Sequence, residues 1–298
     1  MQGWKKNMED EQLVEINVCE DTSIFGVFDG HGGIFNSGIE VARYIKNNIV
    51  HELIENSDFK SGNVQKALVD TFNTIDKNLE SPKGKKDLLE ISKEVSASQN
   101  LQFLKNESED LGFFVGSTAC LAILKKNHLY VANCGDCRCV IFKGGKAIDL
   151  SRDHKPNLQD EKARIEKAGG YIEDNKIKGL ISVSRCFGDF EYKKTKNTKS
   201  VDQMITANPE VKDFEISKDC EFFIIACDGI WDCLDSQKCC EWIKDRIEKI
   251  KESRGDIQTL KISKIVESFV DNLLPKDVST SGGIGCDNLT CILVLFKQ

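Results

Sequence analysis

Three short apolar runs in this chain close on an acid, and no other feature narrows the possible folds as much. Ile24, Phe25, Val27 and Phe28 lead into Asp29-Gly30-His31-Gly32-Gly33. The run is too short for a helix and ends in glycines, so it reads as a buried strand whose last side chain, Asp29, points into a cleft. Taken alone, the Asp-Gly pair reads as an ordinary turn. The design recurs, however, in Glu221 to Cys227, which closes on Asp228-Gly229, and in Gly285-Cys286-Asp287-Asn288, which leads into Leu289 to Phe296. Carboxylates that converge repel one another unless a cation neutralises them. Oxygen-only ligands without a matching His or Cys set favour magnesium or manganese over zinc.

Charge and cysteine usage exclude several classes. The 298 residues carry 41 Lys and Arg against 48 Asp and Glu, a net charge of -7, so there is no general footprint for nucleic acid. No apolar run approaches the roughly 20 residues of a membrane span, and no apolar leader opens the chain. Thirteen cysteines, several inside strand patterns (Cys120, Cys227, Cys291), point to free thiols in a reducing, intracellular compartment. Cys134-Gly-Asp-Cys137 lacks the second ligand pair of a zinc site, and the vicinal Cys239-Cys240 sits in a helical pattern.

Along the chain, Leu13, Ile16 and Val18 predict a strand that turns at Glu20-Asp21-Thr22, bringing Glu9 and Asp10 back toward Asp29. Two amphipathic helices follow, carried by Ala42, Ile45, Ile49 and Leu53 and by Val64, Leu68, Phe72, Ile75 and Leu79. Residues 80–111 turn polar, with a weak helical signal at Leu88, Ile91 and Val95, and read as an insertion. Short β patterns from Gly116 to Leu150 predict an antiparallel meander with a tight hairpin at Gly144-Gly145. A helix over Asp160 to Ala168, a lysine-rich stretch to about Pro209, and helices near 236–251 and 257–274 precede the last strand. Without repeats or a linker, one domain is expected.

The ordered set Met1-Gln2-Gly3-Trp4, Met8-Glu9-Asp10, Val27 to Gly33, Gly116-Ser117-Thr118-Ala119, Asn133-Cys134-Gly135-Asp136-Cys137-Arg138, Asp153-His154-Lys155-Pro156 and Ala168-Gly169-Gly170 continues through Ser182-Val183-Ser184-Arg185, Gly188-Asp189, Asp228-Gly229-Ile230-Trp231-Asp232 and Asp287-Asn288. From Met1 to Phe296 it resembles the metal-dependent serine/threonine protein phosphatases of type 2C. The resemblance implies an α+β sandwich, with two central antiparallel sheets flanked by helices in a four-layer αββα order, and a binuclear centre of Mn2+ or Mg2+ at one end. It implies that Asp29 bridges the two ions, that Gly30 offers its carbonyl to one, and that Asp228 and Asp287 bind the other. Glu9 and Asp10 would act through water, and Asp136 with Asp228 would make a weaker third site. Thr118, Asn288 and Arg185 would support that shell.

The implied reaction is hydrolysis of phosphoserine and phosphothreonine in protein substrates, by water or hydroxide shared between the ions, with His31 as general acid to the departing alkoxide. The alternative is an inactive scaffold, which would be expected to have lost metal acids. His51, His128 and His154 read as structural. Lys5 stands where the family usually has a phosphate-gripping arginine, which predicts looser phosphate binding, since lysine is a point charge without the guanidinium fork. Residues 155–208 resemble the family's flap, and Lys193 to Lys199 read as solvated surface, with recognition of acidic phosphosubstrates or a nuclear import signal as the functional options. The expected protein is a monomer of the cytoplasm or nucleus. The chain starts inside the first motif, so an earlier strand or a removed leader stays open.

Overall fold

The structure, a computed structural model, describes residues 1–32, 38–98, 112–254 and 261–296, so Gly33 of the first motif and residues 99–111 lie outside it. Strands β1 (Asp10–Cys19) and β2 (Thr22–Gly32) form a hairpin, followed by α1 (Ile39–Glu55), the single turn α2 (Ser57–Lys60), α3 (Val64–Glu80) and α4 (Pro82–Ser98). Next come β3 (Val115–Ser117), β4 (Ala119–Lys125), β5 (His128–Cys134), β6 (Arg138–Lys143), β7 (Lys146–Asp149), α5 (Gln159–Lys167) and three two-residue strands, β8 (Ile172–Glu173), β9 (Lys176–Ile177) and β10 (Phe187–Gly188). The order ends with β11 (Glu210–Glu215), β12 (Cys220–Ala226), the short α6 (Asp228–Trp231), α7 (Ser236–Arg254), α8 (Ile262–Leu273) and β13 (Cys291–Leu295).

Two antiparallel sheets carry the molecule. One runs β10-β3-β2-β4-β5-β11 with β1 also on β2, and the other runs β13-β12-β6-β7. Alternation along β2 separates the two faces of the first sheet. Phe25 and Val27 point toward Ile141, Phe223 and Ile225 of the second sheet, whereas Ile24 and Phe28 point the other way, into a core shared with α1, α3 and α4. On the outer face of the second sheet, Phe222 and Ile224 meet α7 and α8 through Ile243, Ile247, Ile265 and Phe269. The layers are therefore helices, sheet, sheet, helices.

Two sequence expectations change here. The meander does not stay in one sheet: β4 pairs β5, but β6 pairs β12 and β7, so the chain crosses between sheets at Gly135-Asp136-Cys137. The partner that draws β6 away lies some eighty residues further on, beyond the reach of a local pattern. Within 80–111, α4 is a third helix of the first helical layer, with Leu88, Ile91 and Val95 buried beside α1 and α3.

Residues 155–208 have a small core of their own, made by Ile165, Ile177, Val183, Cys186, Tyr192 and Ile205. Glu161 ties this segment down. It is almost fully buried and meets Arg185 at 2.5 Å, Arg164 at 2.7 Å and the Ser184 hydroxyl at 2.6 Å. Lys193 departs from the surface reading: its side chain is 9% exposed and pairs with Asp76 at 2.8 Å, while Lys194, Lys196 and Lys199 are exposed.

Candidate active site

Strand pairing assembles the acids. The β1–β2 register sets Asp10 directly opposite Asp29. The Asp29 carbonyl accepts from the Thr118 N–H at 2.9 Å, and the Asp29 N–H donates to Thr118 Oγ1 at 3.3 Å, which fixes the strand end against β3–β4. Gly30 donates its N–H to the Glu9 carbonyl at 3.2 Å. A Cβ on Gly30 would lie 2.6 Å from that same oxygen, so only glycine lets the two segments approach this closely. Asp228 begins α6 just after β12, and Asp287 precedes β13, the neighbour of β12, so two further acids arrive at adjacent strand ends.

Asn288 ties the N-terminal segment to this cluster. Its Oδ1 accepts from the Glu9 N–H at 2.8 Å, and its Nδ2 donates to the carbonyls of Gln2 and Asn7 at 2.8 and 3.0 Å. Met1 and Leu289 exchange a further pair of bonds. Glu9, Asp29, Asp136, Asp228 and Asp287 then line one cleft of about 490 Å³ together with Lys5, His31 and Thr118.

Crowded carboxylates resist ionisation. Burial, reinforced by Asp10, Asp228 and Asp136, raises the Asp29 carboxyl well above its ordinary range. Asp228 is pushed up to about 7 by burial and by Asp136, Asp287 and Asp232. Burial raises Glu9 and Asp10 as well. Both Asp10 oxygens are buried without a hydrogen-bond partner. Such atoms are costly unless a cation or its water shell completes them, and an all-carboxylate set suits a hard divalent ion, so the residues present fit magnesium or manganese. Cys227 lies beside Asp10 and Asp29, with its thiol donating to the Asn288 carbonyl at 3.3 Å and accepting from the Thr290 N–H at 3.2 Å, so it ties the ends of β12 and β13 together beneath the acids.

Other groups take their places around the acids. Lys5 Nζ meets Asp287 Oδ1 at 3.0 Å, and Lys155 Nζ meets Asp136 Oδ2 at 2.5 Å. His31 Nε2 lies 2.6 Å from Asp189 Oδ2. Burial opposes protonation of His31, but the adjacent Asp189 outweighs it and the imidazole is raised above its usual value. His154 is fully buried and accepts from the Gly135 N–H at 3.1 Å, a bracing role at the crossover between sheets. Arg185 belongs elsewhere: its guanidinium bonds Glu161 and the Asn208 carbonyl and lies near Glu210, none of which belongs to the acid cluster, so it anchors the flap and not the metal shell. Sequence reasoning assigns no role to Lys155 or Asp189, although both stand within the ordered motifs; their partners are distant in sequence and carry no local signal.

The protein phosphatase 2C family model matches residues 1–271. The chain belongs to the protein phosphatase 2C family. This phosphatase is 39% identical over 297 residues to "Probable protein phosphatase 2C 6" of Paramecium tetraurelia, covering 100% of this chain and 90% of that one. It is 37% identical over 319 residues to "Probable protein phosphatase 2C 58" of rice, Oryza sativa subsp. japonica, covering 100% and 82%. Among solved structures, a serine-threonine phosphatase 2C from Toxoplasma gondii superposes with a TM-score of 0.64 at 20% identity, covering 99% of this chain and 92% of that one, and shares the fold. The protein is a serine/threonine protein phosphatase of a metal-dependent family, acting on phosphoproteins.

Proposed function

We propose that this phosphatase hydrolyses phosphoserine and phosphothreonine in a single displacement by water, with two Mn2+ or Mg2+ ions held by Asp29, the Gly30 carbonyl, Asp228 and Asp287. The observation that carries the reading is the convergence of buried acids on one cleft, with Asp29 and Asp228 raised and both Asp10 oxygens unpartnered. Glu9 and Asp10 would complete the shell through water, and Asp136 with Asp228 would take a weaker third ion. Bound there, the cations would neutralise the phosphate dianion and acidify a water.

The chain's own residues supply the rest. Lys5 is the cation that meets phosphate oxygens at the rim, held ready by its pairing with Asp287. His31, half-buried in the cleft wall with its imidazole raised, gives a proton to the serine or threonine oxygen as the ester bond breaks. No cysteine competes as nucleophile, because burial raises the thiols nearest the cleft, Cys137, Cys186 and Cys227, well above their usual value. The cleft is complete within one chain, which supports a monomer, and the thirteen free thiols support a reducing compartment.

The test is release of phosphate from a phosphothreonine peptide with Mn2+, with EDTA, and for Asp228→Ala at matched folding. Metal-dependent turnover that falls at least about 100-fold in the variant supports the reading. A folded wild type inactive with both metals overturns it.

A further inference from the structure

His31 and Asp189 are 158 residues apart, yet three adjacent strands set them side by side. In the β2–β3 pair His31 is opposite Gly116, and in the β3–β10 pair Gly188 is opposite the same glycine. Asp189 follows Gly188 and turns its carboxylate back over the pair. A Cβ on Gly116 would lie 2.5 Å from Asp189 Oδ2 and 2.7 Å from His31 Nε2, so the 2.6 Å contact exists only because that position has no side chain.

Several features hold the carboxylate in place. Asp189 is 1% exposed, and its backbone adopts the left-handed conformation at φ 49 and ψ 43, unusual outside glycine and concentrated where a side chain must be aimed. Its N–H donates to the Val115 carbonyl at 3.0 Å. The Cys186 thiol donates to the same Oδ2 at 3.1 Å, so one oxygen serves both neighbours. His31 Nδ1 makes no hydrogen bond to the described residues.

We propose that Asp189 is the positioning residue for the general acid: it anchors the His31 ring through Nε2 and leaves Nδ1 as the atom that protonates the departing oxygen. The inference rests on His31 being the proton donor. As water adds to phosphorus, the ester P–O bond breaks and its electron pair goes to the serine or threonine oxygen, which takes the Nδ1 proton. The imidazole keeps its Nε2–H on Asp189 and regains a proton equivalent to the one released by the attacking water. Asp189 acts through the imidazole, and its effect is orientation.

Leaving-group chemistry tests this. A threonine alkoxide needs protonation, whereas the nitrophenolate of p-nitrophenyl phosphate leaves without it. Asp189→Asn is the variant of choice, because asparagine tolerates the left-handed backbone. With the Mn2+-loaded full chain, kcat on a phosphothreonine peptide should fall about 10- to 100-fold at unchanged KM, and at least about tenfold more than on p-nitrophenyl phosphate. His31→Ala should show the same selectivity, and the double variant no further loss. If His31→Ala slows both substrates equally, the proton-donor reading fails. If His31→Ala is selective and Asp189→Asn is not, the Asp189 proposal alone is overturned. A second measurement needs no variant. In a long-range 1H–15N spectrum of the metal-free wild type, which has only four histidines, His31 should carry a hydrogen on Nε2. A bare Nε2 would overturn the proposal whether or not the variant folds.

Discussion

Asp10 and Asp29 are Cα partners across the first two strands of the large sheet, so backbone pairing itself presses a buried carboxylate against one that lines the cleft. The fold holds this arrangement through the Thr118 and Asn288 hydrogen bonds, and its electrostatic cost is visible in the raised acids.

That cost predicts how the metal-free protein responds to pH. Asp228 sits at about 7 in the folded state against an ordinary 3.8, and Asp29 is raised as well, so between about pH 4 and 7 the folded state binds more protons than the unfolded one. Stability in EDTA therefore falls as pH rises through that window. Melting curves at pH 5 and pH 8 should show a lower Tm at pH 8, restored by Mn2+ by about 5 °C or more. Asp228→Asn should raise the EDTA value at pH 8 and abolish the Mn2+ response.

Glu161 has the opposite sign. Although burial works against ionisation, Arg185 and Arg164 hold its carboxyl down at about 2, below its ordinary 4.5. The stability it contributes is present above about pH 4.5 and is lost as pH falls toward 2. Glu161→Ala, which strands two arginines, should cost about 3 to 5 kcal/mol in urea unfolding at pH 7. The difference from wild type should shrink below pH 3; a constant gap would refute the ion-network account.

Lysines 193 and 196 should behave differently despite their shared basic run. Removing Lys193 leaves Asp76 buried without its cation, so Lys193→Ala should destabilise by about 3 kcal/mol. Lys196→Ala should stay within about 0.5 kcal/mol. Equal effects in denaturant titrations would contradict the buried pair. A test of nuclear import should therefore change Lys194, Lys196 and Lys199 and spare Lys193.

Leu88 is fully buried on α4. Leu88→Ala should cost about 2 to 5 kcal/mol, the range for a large core truncation. A loss under about 1 kcal/mol would mean that α4 adds little to the core.

Lys5 reaches Asp287 as a single point charge. Lys5→Arg should lower KM for a phosphothreonine peptide by about 3- to 10-fold, because the guanidinium fork grips two phosphate oxygens. Steady-state kinetics showing no change in KM or kcat would remove that interpretation.

Much of the molecule is legible in its amino-acid sequence. Strand-end acids, amphipathic helices and the Gly144-Gly145 hairpin are written in windows of a few residues, where backbone geometry and side-chain periodicity are local properties. The weak period at Leu88, Ile91 and Val95 is written there too, but its burial depends on neighbours elsewhere in the chain. Lys193 reads as surface because its charged neighbours in sequence are exposed, while its partner Asp76 lies 117 positions away.

The sequence alone determined which residue types stand at each strand end and helix face, because those patterns follow from the two-residue period of strands and the 3.6-residue period of helices. Only the tertiary structure decided that β6 parts from β5 and joins the second sheet, that Arg185 serves the flap, that Asn288 closes onto Gln2, and that Asp189 meets His31. Those contacts join positions far apart in the chain, and they are set by how the sheets and the flap pack, which no short window of sequence encodes.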